Sequence, residues 1–87
     1  MDKEVFESKI KKFNEGRKTK RPFVVIMKYN YGKFIANNYT FRDDEYLILW
    51  YAEGNCEWRV GETYVKKVKF IYPLMDDEQY KLEGIRR

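Results

Sequence analysis

The strongest constraint on the fold is a change of hydrophobic period at Pro22. Before it, Phe6, Ile10 and Phe13 stand at i, i+4 and i+7, which is the spacing of one face of an amphipathic helix. After it, short runs rich in β-branched and aromatic residues alternate with Gly, Asn and Asp, a pattern typical of strands joined by tight turns. The sequence therefore predicts one helix followed by a sheet.

The boundaries of the helix are indicated by its flanking residues. Asp2 suits the N-cap position and Gly16 suits the residue just past the helix end. We therefore expect a helix within residues 1–16, with its apolar stripe packed on the sheet. Residues 17–21 contain no apolar side chain and are predicted to form a basic linker.

Five short strands are predicted within residues 22–73. The second is expected to contain a bulge or a strong bend at Asn37 and Asn38, because Asn is a poor strand former. Gly61 and Glu62 are predicted to turn the chain, and Pro73 to end the last strand because it cannot donate to a ladder. The predicted strands span residues 23–29, 33–41, 46–53, 56–60 and 63–72. Residues 74–87 are expected to form a polar tail, either loose or with a short helix near residues 75–80.

The fold class that follows is α+β or mainly β, in a single domain of residues 1–87. Short strands with open edges invite aggregation. The strongly bent antiparallel sheet is therefore expected either to curl into a small SH3- or Sm-like barrel or to pair its edges with a second copy of the chain. Core positions are predicted for Phe6, Phe13, Phe23, Phe34, Trp50 and Phe70.

Several function classes are excluded by composition. The chain has no His and a single cysteine, Cys56, so it lacks the residues for His-based catalysis, a catalytic triad or a Cys-based zinc site. The acidic runs at 43–45 and 76–78 do not match the spacing of a calcium loop. We expect no enzymatic activity, no metal and no cofactor. With one unpaired cysteine, no signal segment and no long apolar run, a cytoplasmic protein away from membranes is predicted.

Positive charge is concentrated in the N-terminal part of the chain. Residues 1–33 carry ten Lys or Arg against four Asp or Glu, a net charge of +6, whereas residues 34–87 carry eight against ten, a net charge of −2. Such a cluster attracts phosphates by a route that is independent of sequence and weakens with salt. The alternative interpretation is a solvated, solubilising surface.

Local motifs carry a family resemblance over residues 4–73. They are RPFVVI at 21–26, NYG at 30–32, GKFI at 32–35, FRDDEYLIL at 41–49 and YVKKVKFIYP at 64–73. Together they resemble the Sm-like family, in particular its bacterial Hfq branch. The resemblance implies a helix followed by five strongly bent strands, ring assembly through edge strands, and RNA as the partner. It also implies that Tyr46 stacks on a base, with Lys66 and Lys67 near the same rim.

The predicted binding site combines cations with strand-end tyrosines, because single-stranded nucleic acid is held by a positive groove and by rings on which bases stack. A tyrosine at a strand end can instead simply pack its ring. The sequence predicts a small non-enzymatic module that binds RNA or single-stranded DNA. The alternative is a phage or mobile-element protein that inhibits a host protein or nucleoprotein complex. The predicted nucleic-acid ligands are Lys9, Lys12, Arg17, Lys18, Lys20, Arg21, Tyr31, Tyr46, Lys66 and Lys67.

Overall fold

A computed structural model describes residues 1–30 and 32–74. This part of the chain contains one helix, α1 (Lys3–Phe13), and six strands. Short 3₁₀ turns at Lys28–Asn30 and Val65–Lys67 precede β2 and β6. The strands are β1 (Phe23–Met27), β2 (Lys33–Ala36), β3 (Asn38–Arg42), β4 (Tyr46–Glu53), β5 (Cys56–Tyr64) and β6 (Val68–Pro73).

The described strands form two antiparallel three-stranded sheets, in the orders β2-β1-β6 and β3-β4-β5. The α+β class with an N-terminal helix is thus confirmed. The prediction of five strands in one continuous sheet or barrel is wrong in detail, since the described residues form six strands in two sheets that do not close into a barrel. The extra strand arises because the predicted second strand divides between the two sheets.

That division is made by Asn37, where the sequence predicts a bend. Its side-chain amide donates to the carbonyl oxygen of Ala52 and its side-chain oxygen accepts from the Ala52 N–H, both at 2.7 Å. The Asn37 N–H donates to the Trp50 carbonyl at 3.0 Å. The Asn side chain therefore takes the place of a ladder partner beside β4, and the chain can leave one sheet for the other without leaving the Ala52 backbone groups unpaired. The predicted bend is confirmed.

The turn predicted at Gly61 and Glu62 is wrong, because β5 runs through both residues. Gly61 lies opposite Leu49 in the ladder, on the face that meets the other sheet, and a Cβ added there would lie 2.5 Å from ring carbons of Phe34. The glycine thus allows close approach of the sheets and does not turn the chain. The break comes instead at the 3₁₀ turn, where buried Val65 donates its N–H to the Glu45 carbonyl at 2.8 Å.

Helix α1 packs its stripe on the core as expected. The Asp2 carboxylate accepts from the Val5 N–H at 2.9 Å, which makes Asp2 the N-cap. Phe6 is fully buried among other rings. The helix ends at Phe13, earlier than predicted, because the Asn14 side chain turns back to the Ile10 carbonyl and also accepts the Arg21 N–H.

Strand positions differ from the sequence prediction at two further places. The first strand ends at Met27 instead of residue 29, since Tyr29 has a left-handed φ of 57°. In β6 the register against β1 shifts at Lys69, so Val68 and Ile71 both face the core while Phe70 is 43% exposed. Phe70 is therefore not a core residue, and Trp50 is only half-buried, on the outward side of β4.

The end of the described chain is held to the sheet. Leu74 is buried and donates its N–H to the Pro22 carbonyl at 2.8 Å. The remainder of the predicted polar tail, residues 75–87, lies outside the described residues. Within residues 1–30 and 32–74, no helix is long and apolar enough to cross a membrane.

Candidate nucleic-acid interface

The most distinctive surface feature is a group of aromatic and basic side chains at one end of the sheet β3-β4-β5. Tyr46 at the start of β4 stands opposite Tyr64 at the end of β5, and opposite Arg42 at the end of β3. The two rings meet edge to face with 5.3 Å between their centroids. The 3₁₀ turn that follows β5 brings Lys66 and Lys67 to the same place. We call these five residues the tyrosine cluster.

Each ring of the tyrosine cluster has a cation over it. The Cζ atom of Arg42 lies 4.4 Å from the centroid of the Tyr46 ring. The Nζ atoms of Lys66 and Lys67 each lie 5.7 Å from the centroid of the Tyr64 ring. These distances fall within the range of cation–π attraction, which at exposed sites contributes about 0.5–1 kcal/mol. The cluster therefore presents a 45% exposed ring, Tyr64, together with three positive charges.

The electrostatics of the tyrosine cluster act on the phenol of Tyr46. Its pKa is raised, first by desolvation and then by the neighbouring Glu62 carboxylate, while the Arg42 guanidinium opposes the increase. The folded protein thus favours the neutral hydroxyl. Because the pKa of Tyr46 is higher in the folded protein than in the unfolded chain, the protonated phenol stabilises the fold. This contribution is fully present below the ordinary tyrosine pKa of about 10 and is lost as the pH rises through the higher pKa of the folded protein.

Substitution of Glu62 by Gln is expected to lower the pKa of Tyr46, because it removes the carboxylate that disfavours a nearby phenolate. Substitution of Arg42 by Gln is expected to raise it further, since the opposing cation is lost. Phenolate absorbance during an alkaline titration, with the Tyr46→Phe curve subtracted, measures both shifts. Identical curves for the wild type and Glu62→Gln would contradict the described arrangement.

A second basic surface, which we call the basic groove, lies at the C-terminal end of α1. It is a depression of about 550 Å³. Phe13 and Pro73 supply its apolar lining, and Glu15 is its only acidic lining residue among those the structure describes. Its cations come from the helix and from the linker, so two separate segments of the sequence combine in one electropositive surface. They are Lys9, Lys12, Arg17 and Arg21.

The structure divides the predicted ligands between these two places. Lys67 immediately precedes β6, and Pro73 at the end of β6 lines the basic groove. A strand of six residues separates them, which corresponds to about 20 Å at roughly 3.3 Å per residue. The two surfaces are thus separate and can be joined only by an elongated ligand.

The remaining predicted ligands lie elsewhere. Lys20 donates to the Asn38 side-chain oxygen at 2.8 Å and lines a groove between α1 and β3. Lys18 is exposed in the linker. Arg21, although it lines the basic groove, also uses its Nε to donate to the Leu74 carbonyl at 3.2 Å, so part of its role is to hold the end of β6. Tyr31 lies outside the described residues.

One contributor to the tyrosine cluster is missing from the sequence prediction. Arg42 falls in the gap between the predicted strands 33–41 and 46–53, but in the structure it ends β3 opposite Tyr46. The pairing of Arg42 with Tyr46 follows from the strand register. If the sequence had been interpreted as a β-hairpin over residues 38–53, a basic residue at the end of its first strand and a tyrosine at the start of its second would have indicated this pair.

Comparison of the chain with models of protein families, with curated proteins and with solved structures finds no match. The resemblance to the Sm-like family therefore stays a prediction. In the described part of the chain, no three His, Cys, Asp or Glu side chains are grouped so that they could hold a metal ion.

Proposed function

We propose that this protein is a non-enzymatic module that binds single-stranded nucleic acid, RNA or DNA. The observation that carries the proposal is the tyrosine cluster, in which two rings in edge contact are accompanied by three cations within 6 Å of a ring centroid. Rings of this kind accept bases of any sequence by stacking, while neighbouring cations attract the phosphates. The proposed contribution of the basic groove is additional affinity without sequence preference.

Binding of a fluorescently labelled oligonucleotide of mixed sequence, followed by anisotropy, tests the proposal. We expect binding that is detectable at about 50 mM salt and weakens as salt rises, because each phosphate neutralised on a single strand contributes about −0.7 to the slope of log K against log salt. Absence of binding at this low salt concentration would refute the proposed function.

Three double substitutions that each remove two positive charges test the location of the site. Lys66→Ala with Lys67→Ala, and Lys9→Ala with Lys12→Ala, are each expected to reduce the magnitude of the salt slope by about 1.4, that is 0.7 for each lost phosphate contact. The matched control is Lys3→Ala with Lys11→Ala, two lysines that line the groove between α1 and β3. The groove that these two lysines line also contains the Glu7 carboxylate, which accepts a 3.4 Å hydrogen bond from the Tyr39 hydroxyl. Because this carboxylate repels phosphates, the control pair is expected to change the slope least. Equal slopes for all three variants would contradict the assignment.

A second candidate function, binding to a host protein, is favoured by one different observation. On the outward side of the sheet β2-β1-β6, Phe70 and Tyr72 are 43% and 37% exposed and their centroids lie 6.2 Å apart. Partly buried Ile26 lies directly opposite Phe70. Exposed aromatic side chains next to an aliphatic side chain are typical of protein interfaces.

Capture of partners from a host lysate, with and without nuclease, distinguishes the two functions. Direct protein binding predicts capture that survives nuclease and is lost in a Phe70→Ser, Tyr72→Ser variant whose oligonucleotide affinity is unchanged. Partners that disappear after nuclease treatment support nucleic-acid binding instead.

A further inference from the structure

The tyrosine cluster is one end of a longer row of side chains on the outward face of β4. Side chains alternate along a strand, so Tyr46, Ile48 and Trp50 point outward while Leu47 and Leu49 are buried. The register places Thr40 beside Ile48, and Arg59 beside Trp50. The outward face of the sheet β3-β4-β5 thus has an aromatic residue at each end and an aliphatic residue between them.

The far end of this row repeats the chemistry of the tyrosine cluster. The Cζ atom of Arg59 lies 5.2 Å from the centroid of the Trp50 ring. The indole N–H of Trp50 donates to the Thr40 hydroxyl oxygen at 3.0 Å. This hydrogen bond holds the orientation of the indole, so the ring is prepared for stacking before a ligand arrives.

The net positive charge of the face lies at the tyrosine cluster. On the strands themselves Arg42 and Arg59 are balanced by Glu57 and Glu62, and the adjoining 3₁₀ turn adds Lys66 and Lys67. Lys66 also lines a depression that contains Asp44 and Glu45, so these two carboxylates lie beside the positive end of the face. Glu57 and Glu62 both have partners within the face. Glu62 forms a 3.0 Å ion pair with Arg59, and Glu57 accepts from the Asn38 amide at 3.3 Å. The Arg59–Glu62 pair is thereby close to neutral, whereas Glu57 keeps its negative charge.

The length of the row corresponds to a short stretch of single strand. Tyr46 and Trp50 are four residues apart on one strand, about 13 Å at roughly 3.3 Å per residue. Stacked nucleotides rise about 3.4 Å each, so the row spans about four steps. For comparison, the single-strand sites of OB folds cover about 4–16 nucleotides, so the row is as long as the shortest of them.

We propose that the outward face of β3-β4-β5 is a stacking platform for a single strand of about four nucleotides, which runs along β4 from the Tyr46–Tyr64 pair to the Trp50–Arg59 pair. This inference rests on the proposed function and assigns the track that the ligand follows. Trp50 supplies the stacking surface at the far end, Arg59 contacts phosphate or continues the stack, and Thr40 orients the indole.

The two tryptophans of the chain make the track measurable because they lie on opposite faces of the β4–β5 hairpin. Trp58 pairs with Tyr51, whose side chain points inward, and the two rings stack at 5.4 Å. In a Trp58→Phe variant the emission comes from Trp50 alone, and in a Trp50→Phe variant from Trp58 alone. Oligothymidylate and oligouridylate of about four and eight nucleotides serve as the DNA and RNA probes.

We expect saturable quenching of Trp50 that follows the anisotropy curve, and no change in Trp58 emission. Trp50→Ala is expected to weaken binding roughly 5- to 140-fold, the equivalent of about 1–3 kcal/mol for one lost stack. The matched variant Trp58→Ala is expected to retain wild-type affinity. An RNA affinity above the DNA affinity would indicate contacts to the 2′-hydroxyl within the same track.

Two outcomes overturn the inference while leaving the proposed function intact. One is oligonucleotide binding by anisotropy with unchanged Trp50 emission, and the other is quenching of Trp58 alone. The Trp58→Phe measurement leaves Trp50 in place, so it decides the matter even if Trp50→Ala does not fold. Absence of any anisotropy change at low salt would refute the proposed function itself, and the track with it.

Discussion

Replacement of Phe6 by Ala is expected to reduce the free energy of unfolding by about 3–5 kcal/mol, the usual cost of truncating a buried Phe. Phe6 is fully buried, and its ring contacts those of Phe23, Tyr39 and Phe41 edge to face at 6.0, 5.1 and 5.9 Å between centroids. Phe6 thus joins α1 to both sheets, through Phe23 of β1 and through Tyr39 and Phe41 of β3. Proteins of this size have about 4–13 kcal/mol of stability in total, so the loss removes much of it.

Urea unfolding followed by circular dichroism measures this effect. Val5→Ala is the matched control, because Val5 is the neighbouring helix residue and is 42% exposed. Its expected loss is well under 1 kcal/mol. If Phe6→Ala does not fold at all, Phe6→Leu gives a measurable intermediate. A loss below about 1 kcal/mol for Phe6→Ala would contradict the described packing of the helix.

Replacement of Gly61 by Val is expected to cost up to about 3 kcal/mol through overpacking. The new Cβ would meet Cδ1 and Cε1 of Phe34 at 2.5 Å, which is far inside van der Waals contact. The Phe34 ring packs against the core, so it can move away only by disturbing the contact between the sheets.

A double-mutant cycle separates this clash from an intrinsic effect of Val in β5. Combined with Phe34→Ala, Gly61→Val is expected to be nearly neutral or stabilising, because the clashing ring is gone and Val favours strands. Thermal unfolding of the four proteins gives the coupling energy. Additive effects would show that Gly61 and Phe34 are not in contact, and would favour the turn that the sequence predicts at this position.

The helix and its packing were predictable from local sequence. The 3.6-residue period of Phe6, Ile10 and Phe13 and the capping carboxylate of Asp2 are properties of a single segment. The bend at Asn37 was equally visible as a weak point in a strand pattern. The transfer of the chain from one sheet to the other at Asn37, however, depends on hydrogen bonds to Ala52, fifteen residues away.

The continuation of β5 through Gly61 and the register shift at Lys69 were not predictable in the same way. Glycine permits both a turn and the close approach of another chain segment, and only the position of Phe34 on a different strand decides between them. The shift at Lys69 changes which residues of β6 face outward, so the alternation rule alone assigned Phe70 to the core.

For the candidate interface, the sequence by itself determined which residues are available: a basic N-terminal segment, a surplus of tyrosines and a Lys66–Lys67 pair. The tertiary structure decided their grouping. It placed Lys66 and Lys67 with Tyr64, Tyr46 and Arg42, and it left four N-terminal cations, Lys9, Lys12, Arg17 and Arg21, near the other end of β6. The physical reason is that charge and ring content are properties of single residues, whereas stacking needs distances of a few ångströms that only strand pairing sets.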